Sequence, residues 1–271
     1  MNDSANPSQP RTESLVPVVD ARILDGMDVE AHLGDPRRKQ AFVTPMFDVI
    51  APRYDEFTRR FSFGMDIRWK RDLIADAVRA LPHAGTVLDV ACGTGDLAFA
   101  LAAQRPEACV LGIDASPQMI AQAAKRANAA YAIGVSPSFR VGDLTRLELP
   151  DASVDLVTGG YALRNVPDWR AALRELARVL RPGGRLVTLD FYRPEHAVWR
   201  VLYLGYLRVA GDLVGLQWHG RAVVYGYIAR SIRDFATWRE YSAALNDTGF
   251  RDVHVRTHLL GGVARHVATR A

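Results

Sequence analysis

The chain has 271 residues, of which 49% are hydrophobic and 24% are charged, a composition close to the average of globular proteins. This composition excludes a collagen, a wholly disordered chain and a small disulfide scaffold. The net charge is +4, but the arginines that dominate the basic residues are spread along the chain and interleaved with acids. That distribution favours an ordinary solvated surface over a nucleic-acid-binding stripe.

The first 40 residues contain four prolines among polar side chains and are predicted to form a flexible N-terminal arm. Acidic residues within this arm argue against a secretory signal or a transit peptide. The longest run without a charged residue, Ala127 to Phe139, is shorter than the ~20 apolar residues that cross a bilayer. Two cysteines, Cys92 and Cys109, fit a reducing compartment. We therefore expect a protein of the cytoplasm that can also lie at the inner face of the membrane.

Residues 41–271 are predicted to form one domain in which strands and helices alternate. Helical spacing of apolar residues places two or three helices between Phe42 and Ala80, before the first strand. Short β-prone runs predict strands at Thr86–Ala91, Val110–Ile113, Phe139–Val141, Val154–Thr158 and Leu186–Leu189. Helices are predicted between strands, at Leu97–Gln104, at Ser116–Asn128 with Ser116 as N-cap, and from Pro167 to the Pro182-Gly-Gly184 turn.

An aromatic, apolar segment at residues 194–241 interrupts the alternation, and we interpret it as a helical insertion that covers the carboxyl edge of the sheet. It is followed by a predicted helix at Phe235–Asn246, ended by Gly249, and by two strands at Asp252–Thr257 and Val263–Thr269. Seven strands alternating with helices predict an α/β fold with a doubly wound, mostly parallel sheet.

The turn after the first predicted strand has the features of a ligand site. Gly93 and Gly95 open a helix directly after a buried strand, so the backbone can approach a ligand at the carboxyl edge of the sheet, where open α/β folds bind. Asp114 ends the second strand, where a carboxylate can accept hydrogen bonds from both hydroxyls of a ribose. Asp89 and Asp143 add carboxylates at the first and third strands. The pattern predicts a nucleoside-containing cofactor.

The spacing of Gly93, Gly95 and Ala98 alone is compatible with a nicotinamide dinucleotide, and also with a helix-capping turn that binds nothing. Asp89 favours another cofactor, because a carboxylate inside the turn attracts a cation and repels a pyrophosphate. Asp143 can accept a hydrogen bond from the exocyclic amine of adenine. An acid-rich pocket therefore favours a positively charged adenosine cofactor.

Four motifs stand at these strand ends: Val87-Leu-Asp-Val-Ala-Cys-Gly-Thr-Gly95, Gly112-Ile-Asp114, Gly142-Asp-Leu144 and Arg181-Pro-Gly-Gly184. They resemble the successive motifs of the class I S-adenosylmethionine-dependent methyltransferases, which have a Rossmann-like fold. Further motifs are Tyr54-Asp55, Ser62-Phe-Gly64, Trp69-Lys-Arg71, Leu163-Arg-Asn-Val166, Arg178-Val-Leu-Arg-Pro-Gly-Gly184 and Tyr227 with Ser231-Ile232. These resemble the quinone C-methyltransferases of menaquinone and ubiquinone biosynthesis, over about Phe47 to His266.

The resemblance implies an enzyme that transfers a methyl group from S-adenosylmethionine to a ring carbon of a prenylated hydroquinone, such as demethylmenaquinol or a ubiquinone precursor. It implies cofactor binding by Asp89, Ala91, Gly93, Thr94, Gly95, Asp114, Ala115, Asp143 and Leu144. Arg164, Asn165 and Tyr54 are implied as catalytic residues, with Arg164 supplying positive charge beside the acceptor hydroxyl. In-line methyl transfer requires alignment rather than a metal, so no metal site is predicted.

Departures from the family pattern lie around the expected acceptor pocket. They are Thr58, Arg59-Arg60, Asp66 and the stretch Asp190-Phe-Tyr-Arg-Pro194, which varies the usual Glu-Phe-Ser-Lys-Pro. The departures from Thr58 to Asp66 leave open a methyltransferase for another aromatic metabolite. A non-catalytic cofactor-binding scaffold subunit is an alternative from a different class. A nucleic-acid methyltransferase is disfavoured, because Tyr161-Ala-Leu-Arg-Asn165 stands where an Asn/Asp-Pro-Pro-aromatic signature would follow the fourth strand.

The insertion, residues 194–241, also predicts an interaction with lipid. Arg200, Arg208 and Asp212 share one helical face, which leaves apolar residues such as Val201 to other faces that can rest on a membrane surface. A prenylated acceptor resides in the bilayer, so we expect peripheral membrane contact through this segment, which would cap the acceptor. The oligomeric state stays open, with a homodimer among the candidates.

Overall fold

The computed structural model describes residues 19–24, 32, 36–131, 134, 137–219 and 223–271. Its strands are β1 (Thr86–Val90), β2 (Cys109–Asp114), β3 (Ser138–Val141), β4 (Val154–Gly160), β5 (Leu180–Phe191), β6 (Phe250–His258) and β7 (Val263–Arg270). All seven join one sheet in the order β3-β2-β1-β4-β5-β7-β6.

Parallel pairing dominates the sheet. β1 pairs in parallel with β2 and β4, β2 with β3, and β4 with β5, whereas β7 is antiparallel to both β5 and β6. The central strand carries Val87, Leu88 and Val90, all 0% exposed, because helices cover both faces of the sheet. The predicted α/β fold with a mostly parallel seven-stranded sheet is confirmed.

The helices within the described residues are α1 (Pro36–Ile50), α2 (Tyr54–Phe61), α3 (Met65–Ala80), α4 (Asp96–Gln104), α5 (Pro117–Tyr131), α6 (Trp169–Val179), α7 (Ala197–His219), α8 (Val223–Arg233) and α9 (Trp238–Asp247). One hydrophobic core contains Met46, Leu73 and Leu101, and thus joins α1, α3 and α4 to the sheet. A second core contains Leu173 and Leu245 from α6 and α9. None of the helices in the described part of the chain has the length and hydropathy needed to span a bilayer.

The N-terminal boundary differs from the prediction. Helix α1 begins at Pro36, before the predicted domain boundary at residue 41, because Phe42 and Val43 on this helix are drawn into the core. Leu24, inside the segment predicted to be an arm, is 4% exposed and belongs to the same core. The rest of the predicted arm, residues 1–18, 25–31 and 33–35, lies outside the described residues.

Local capping explains several shifts at helix ends. The helix predicted from Pro167 begins at Trp169, because the Asp168 carboxylate accepts from the backbone N–H of Ala171 at 2.9 Å and caps the helix. Ser116 caps α5 as predicted, since its hydroxyl accepts from the backbone N–H of Met119 at 3.1 Å.

The helix predicted from Phe235 begins at Trp238, because Thr237 and Glu240 form a capping box. Strand β5 is longer than predicted and begins at Leu180, which pairs with Val154 before the Pro-Gly-Gly stretch.

The predicted insertion forms α7 and α8, which pack against each other. Between Phe191 at the end of β5 and Val263 at the start of β7, the chain makes an excursion that forms α7, α8, α9 and the edge strand β6. Phe191 and Val263 are paired partners in β5 and β7. The backbone N–H of Tyr192 donates to the carbonyl of Gly262 at 2.9 Å, which joins the two stems of the excursion directly.

Candidate active site

A cleft lies at the carboxyl ends of β1, β2 and β4 and has two lobes. The first lobe, about 630 Å³, lies between α1 and the strand ends. The second lobe, about 380 Å³, lies between the turn after β1 and side chains of α2 and α3. Five residues border both lobes, namely Tyr54, Ala91, Gly93, Gly160 and Tyr161. Because these five residues are shared, a small-molecule ligand can extend from one lobe into the other.

The turn between β1 and α4 bends sharply because three of its residues have positive φ. The φ angle is +46° at Ala91, +55° at Gly93 and +89° at Gly95. A non-glycine residue in this region is strained, and such strain is typical of functional sites. Thr94 borders the second lobe. Gly95 does not border either lobe; its role is packing, since a Cβ there would lie 2.7 Å from the ring of Phe139.

Asp114 and Asp143 border the first lobe. The Asp114 carboxylate accepts from the backbone N–H of Gly93 at 2.9 Å and of Ser116 at 2.8 Å, which fixes its orientation. Burial raises the pKa of Asp114 above its ordinary value. Asp143 accepts from the backbone N–H and the hydroxyl of Thr145, each at 2.8 Å. Because each carboxylate oxygen has two lone pairs, both groups retain capacity to accept from a ligand.

Helix α1 forms the other wall of the first lobe, which the sequence did not predict. It contributes Gln40, Val43, Thr44 and Phe47. Asp48 on the same helix accepts from the Ser116 hydroxyl at 2.5 Å and from the backbone N–H of Gln118 at 3.2 Å, so α1 is held against the start of α5. Ala115 and Leu144, two predicted cofactor residues, border the same lobe.

Asp89 in β1 is fully buried and borders the second lobe. Its Oδ1 accepts from the Thr158 hydroxyl at 2.8 Å, whereas no hydrogen-bond donor in the described part of the chain reaches Oδ2. Burial raises the pKa of Asp89 to about 7, with the Thr158 hydrogen bond opposing that rise. A buried carboxylate oxygen without a partner is costly, so Oδ2 marks a position for a donor or a cation.

A cluster of charged side chains borders the second lobe. Lys70 from α3 donates to Asp96 at 3.1 Å, and Arg126 from α5 donates to the same carboxylate at 2.9 Å. Burial opposes the charged form of Lys70, but the nearby Asp96 outweighs it and the Lys70 pKa is raised. The Thr94 hydroxyl donates to the Asp55 oxygens at 3.0 and 3.1 Å. Lys70 therefore presents a stable ammonium to the lobe.

The 3-10 turn Leu163–Asn165, after β4, carries two predicted catalytic residues. Asn165 borders the first lobe, whereas Arg164 lies behind it, is 6% exposed and does not border either lobe. The Arg164 guanidinium lies 3.3 Å from Asp190 and donates to Ser231 at 3.0 Å. Burial raises the pKa of Asp190 to about 6, although Arg164 counteracts this. Arg164 was predicted to supply positive charge beside the acceptor hydroxyl, but in the structure its charge is already paired with that of Asp190.

The Asn165 amide is held from three sides. Its Oδ1 accepts from Arg164 at 2.8 Å and from the Tyr227 hydroxyl at 2.9 Å, and its Nδ2 donates to the Tyr161 carbonyl at 3.0 Å. An amide has two N–H donors on Nδ2, so one is left for a ligand. This arrangement fixes both the position and the flip state of the amide.

Lys39 fastens α1 to this turn. Its ammonium donates to the backbone carbonyls of Arg164 at 2.8 Å and of Val166 at 3.0 Å. Burial, followed by the charge of Arg164, lowers the pKa of Lys39 to about 8. Neither Lys39 nor Lys70 was predicted as a site residue, although the rarity of lysine was a signal: they are two of only three lysines in the chain, the third being Lys125.

Two tyrosines stand where the lobes meet. Tyr54, at the start of α2, has its pKa raised by burial and packs against Phe47 at a ring distance of 6.1 Å. Tyr161 is 4% exposed, has a φ of +60° and stacks on Phe191 at 4.9 Å. The Tyr161 hydroxyl has no hydrogen-bond partner among the described residues, and burial raises its pKa well above the ordinary value. Tyr161 was not predicted as a site residue.

The family model of the ubiE/COQ5 methyltransferases matches residues 35–270. The chain belongs to this family. Relatives include demethylmenaquinone methyltransferases of Deinococcus radiodurans, 38% identical over 81% of this chain and 89% of that protein, and of Thermus thermophilus, 38% identical over 83% and 100%. Among solved structures, a Haloferax volcanii methyltransferase in complex with the Trm112 activator shares the fold, with a TM-score of 0.56 and 21% identity over 83% of this chain and 97% of that one.

Membership of the ubiE/COQ5 family confirms three predictions: the family, the methyltransferase activity and S-adenosylmethionine as the methyl donor. The cleft fits this cofactor, because the unpartnered Oδ2 of Asp89 and the Lys70 ammonium border one lobe while Asp114 and Asp143 border the other. In the described ranges, no group of three or more histidine, cysteine, aspartate or glutamate side chains is placed to hold a metal ion.

Proposed function

We propose that this ubiE/COQ5-family chain methylates a ring carbon of a prenylated hydroquinone, with demethylmenaquinol or a ubiquinone precursor as acceptor. The names of its relatives, demethylmenaquinone methyltransferase and ubiquinone/menaquinone biosynthesis C-methyltransferase, support this class of acceptor. The observation that carries the proposal is the meeting of both lobes at Tyr54 and Tyr161, beside the fixed amide of Asn165. A cofactor that spans both lobes would place its methyl group at that junction, where an acceptor ring beside Asn165 could approach it.

The adenosine of the cofactor belongs in the first lobe. Asp114 would accept from the ribose hydroxyls and Asp143 from the exocyclic amine of adenine, as carboxylates at strand ends do in nucleoside sites. Ala115 and Leu144 border the same lobe and offer apolar contact to the adenine ring. The α1 side chains opposite them would close over the ring.

The methionine tail belongs in the second lobe, because a zwitterion needs one group of each sign. The Lys70 ammonium matches its carboxylate, and the unpartnered Oδ2 of Asp89 matches its ammonium. Ala91 and Gly93 border both lobes, and Thr94 borders the second lobe. When bound, S-adenosylmethionine supplies an electrophilic methyl group on a sulfonium.

Asn165 is the residue that we assign to the acceptor hydroxyl. A ring carbon becomes nucleophilic when its neighbouring hydroxyl ionises, and a hydrogen bond to the resulting oxyanion favours that form. The remaining N–H of Asn165 can donate this hydrogen bond. Arg164 then acts as a positioning residue, since it holds Asn165 and is itself paired with Asp190. Tyr54 contributes the wall that excludes water from the junction.

The finer expectations for partners and location belong to the same proposal. A prenylated acceptor is supplied from a bilayer, so we propose reversible peripheral contact with the inner face of the cytoplasmic membrane. A homodimer and the absence of a nucleic-acid partner stay predictions. Another aromatic metabolite as acceptor is the second candidate, suggested by the departures from the family pattern between Thr58 and Asp66.

The acceptor can be tested with purified protein, labelled S-adenosylmethionine and chemically reduced quinones. Mass spectrometry should find one added methyl group on the ring of a demethylmenaquinol or a demethylated ubiquinone precursor. Asn165→Ala should lower turnover with little effect on cofactor affinity, whereas Asp114→Ala should lower cofactor affinity itself. Calorimetric binding of the cofactor without methylation of any quinol, but with methylation of another phenolic metabolite, would establish the second candidate instead.

A further inference from the structure

Helix α7 presents an apolar face to solvent along its whole length. Residues on this face recur at helical spacing and are exposed by 64% at Val198, 71% at Val201, 60% at Leu202, 60% at Val209, 62% at Leu213 and 55% at Leu216. The opposite side of the helix carries Tyr203 and Leu207, 4% and 3% exposed, which pack in the core. The helix is therefore apolar on both sides, and only one side is used for folding. We call the exposed side the α7 face.

Two loops add exposed apolar side chains beside this helix. Phe63, between α2 and α3, is 74% exposed and stacks on Tyr206 of α7 at a ring distance of 6.0 Å. Leu260 is 76% exposed, and the carbonyl of the preceding Leu259 accepts from the indole of Trp199 on α7 at 2.8 Å. Both Phe63 and Leu260 have a φ of +51°, a conformation that favours glycine or asparagine over large side chains. Their presence at strained, exposed positions points to a contact that needs them.

Arginines border the helix on one side in an open groove between α7 and α8, which we call the arginine groove. It is bordered by Arg193, Arg200, Arg208, Arg230 and Arg233. Glu195 is the one carboxylate among the described residues that border it. The groove also includes Val201, which belongs to the α7 face, so the basic and apolar surfaces are continuous.

The C-terminal end of α7 also brings arginine side chains next to an apolar ring. The guanidinium groups of Arg53 and Arg60 each lie 5.5 Å from the ring centre of Trp218, near the end of α7. Tryptophan and arginine side chains are favoured at the boundary between lipid headgroups and acyl chains, where an apolar body and a polar tip are both satisfied. An apolar strip bordered by cations on two sides is the pattern of a helix that lies in the plane of an anionic interface.

We infer that the α7 face, with Phe63 and Leu260, docks on an anionic phospholipid surface, with the arginine groove contacting lipid phosphates. Helix α7 has 23 residues and so runs for roughly 34 Å in the plane of the interface. Phe63 and Leu260 enter the headgroup layer. This inference rests on the proposed function in one respect only: a prenylated acceptor gives the docking its purpose.

The charge of the arginine groove favours a lipid surface over a second copy of the chain as the partner of the α7 face. In a twofold dimer through the α7 face, both copies of the arginine groove would border one interface and add the charges of ten arginines to it. Like charges placed opposite each other oppose such an interface, whereas phosphates attract arginines. Three of the groove arginines form salt bridges, Arg193 with Glu240 at 3.0 Å, Arg208 with Asp212 at 4.0 Å and Arg233 with Asp234 at 2.7 Å. Among the described residues that border the groove itself, five arginines stand against one carboxylate.

Vesicle sedimentation tests the inference with the full chain and no acceptor. The protein should bind vesicles rich in phosphatidylglycerol, bind phosphatidylcholine vesicles much more weakly, and be released by salt. The double variant Phe63→Asn/Leu260→Asn should bind at least about tenfold more weakly to both vesicle types, because it removes apolar area. It should stay folded, since asparagine tolerates a positive φ. The matched control Ala84→Asn/Ala152→Asn, at φ angles of +52° and +47° away from α7, should bind like the parent protein.

A second pair of variants tests the charge. Arg200→Gln/Arg208→Gln should weaken binding to phosphatidylglycerol vesicles by about fivefold per arginine and leave the weak phosphatidylcholine binding unchanged. Arg170→Gln/Arg174→Gln, on α6, is the matched control. Parent-like vesicle binding by both test pairs overturns the inference, as does a parent protein that binds neither vesicle type. A dimer that the Phe63→Asn/Leu260→Asn pair dissociates, with no vesicle binding, would assign the α7 face to a second copy.

Methylation of a tail-free quinol in detergent-free buffer separates this inference from the proposed function. Neither pair of variants should change that turnover, because none of these residues borders the cleft. Normal turnover without vesicle binding would overturn the docking surface alone. Normal vesicle binding without turnover on any quinol would overturn the proposed acceptor alone.

Discussion

At the scale of single residues, Asp89 carries the largest electrostatic cost of the cofactor site. Burial raises its pKa to about 7 from the ordinary 3.8, so the folded protein binds this proton more tightly than the unfolded chain does. The stabilisation is therefore complete below about pH 4 and is lost as the pH rises through about 7. A cationic group beside Oδ2 would reverse that loss by favouring the carboxylate.

Replacing Asp89 by asparagine should separate stability from binding. We expect Asp89→Asn without ligand to be more stable than the parent protein at about pH 8, by about 2 to 4 kcal/mol, with the difference vanishing near pH 4. Cofactor affinity should fall, because the neutral amide no longer attracts an ammonium. Urea unfolding across this pH range and calorimetry are the measurements. Asp252→Asn, at a position 60% exposed, should change neither, and a destabilised Asp89→Asn at high pH would contradict the assignment.

The Tyr161 hydroxyl allows a second test at the same scale. Because this buried hydroxyl has no partner in the described residues, Tyr161→Phe should raise the unfolding free energy of the ligand-free protein by about 1 kcal/mol. Turnover should fall about tenfold if the hydroxyl bonds the bound ligands. Tyr241→Phe is the control, since the Tyr241 hydroxyl lies 3.2 Å from that of Thr188 and its loss should be destabilising. Destabilisation by Tyr161→Phe in denaturant titrations would show that the hydroxyl has a structural partner.

The sequence predicted the placement of some of these residues and not of others. Asp89, Asp114 and Asp143 were predictable because they lie near the carboxyl ends of β1, β2 and β3, and the carboxyl ends of parallel strands meet at one edge of the sheet. The sequence correctly predicted that Arg164 follows β4, but it did not predict which side chains surround the Arg164 guanidinium. Its pairing with Asp190 depends on the neighbouring strand, and no local pattern reports which side of a turn a guanidinium takes.

At the scale of elements, α1 is the part of the site that sequence reasoning assigned least well. Its residues border the first lobe, yet the contacts that place it there reach across the chain, as in the bond from Lys39 to Arg164, 125 residues apart. Helical periodicity predicts that α1 exists and which face is apolar. It does not predict the element on which that face packs, because that depends on tertiary contacts.

Lys39 should couple α1 to turnover. In Lys39→Met the carbonyls of Arg164 and Val166 lose their donor, which should cost about 1 to 3 kcal/mol and loosen the turn that holds Asn165. We expect turnover to fall about tenfold, with cofactor affinity nearly unchanged because the Asp114 contacts are intact. Steady-state kinetics and calorimetry measure the two effects. Lys39→Arg, which keeps a cationic donor, should recover part of the turnover, whereas equal loss in both variants would contradict a positioning role.

At the scale of the whole molecule, the two lobes make the cofactor a bridge between elements that are distant in sequence. The bound nucleoside would contact α1 and the ends of β1 and β2 together, so binding should stabilise the entire domain. At a ligand concentration of about one hundred times Kd the gain is about 2.7 kcal/mol, which corresponds to roughly 5 to 10 °C in Tm for a chain of this size. Differential scanning fluorimetry should show this rise with S-adenosylmethionine and with its demethylated product. An equal rise with NAD would contradict the cofactor assignment.

The overall architecture was the most predictable level. Strand and helix alternation from Thr86 to Leu189 specified the parallel half of the sheet, because each β-prone run is short and bounded by helical spacing. The position of β7 between β5 and β6 was not predictable, since the order of the last two strands depends on edge pairing and leaves no periodic signal. The exposure of the α7 face was likewise not predictable, because apolar residues on a helix indicate burial unless the neighbouring elements are known.

The excursion between Phe191 and Val263, which carries α7, α8, α9 and the edge strand β6, begins and ends on paired residues of adjacent strands, so its two ends are already in contact when the sheet forms. A segment anchored in this way can be lengthened, shortened or replaced during evolution at little entropic cost to the scaffold that carries it. Since Tyr227 and Ser231 of α8 form hydrogen bonds with Asn165 and Arg164, a lineage could acquire a new acceptor by exchanging the helical part of this excursion. The strand ends and α1, which border the first lobe, would stay unchanged.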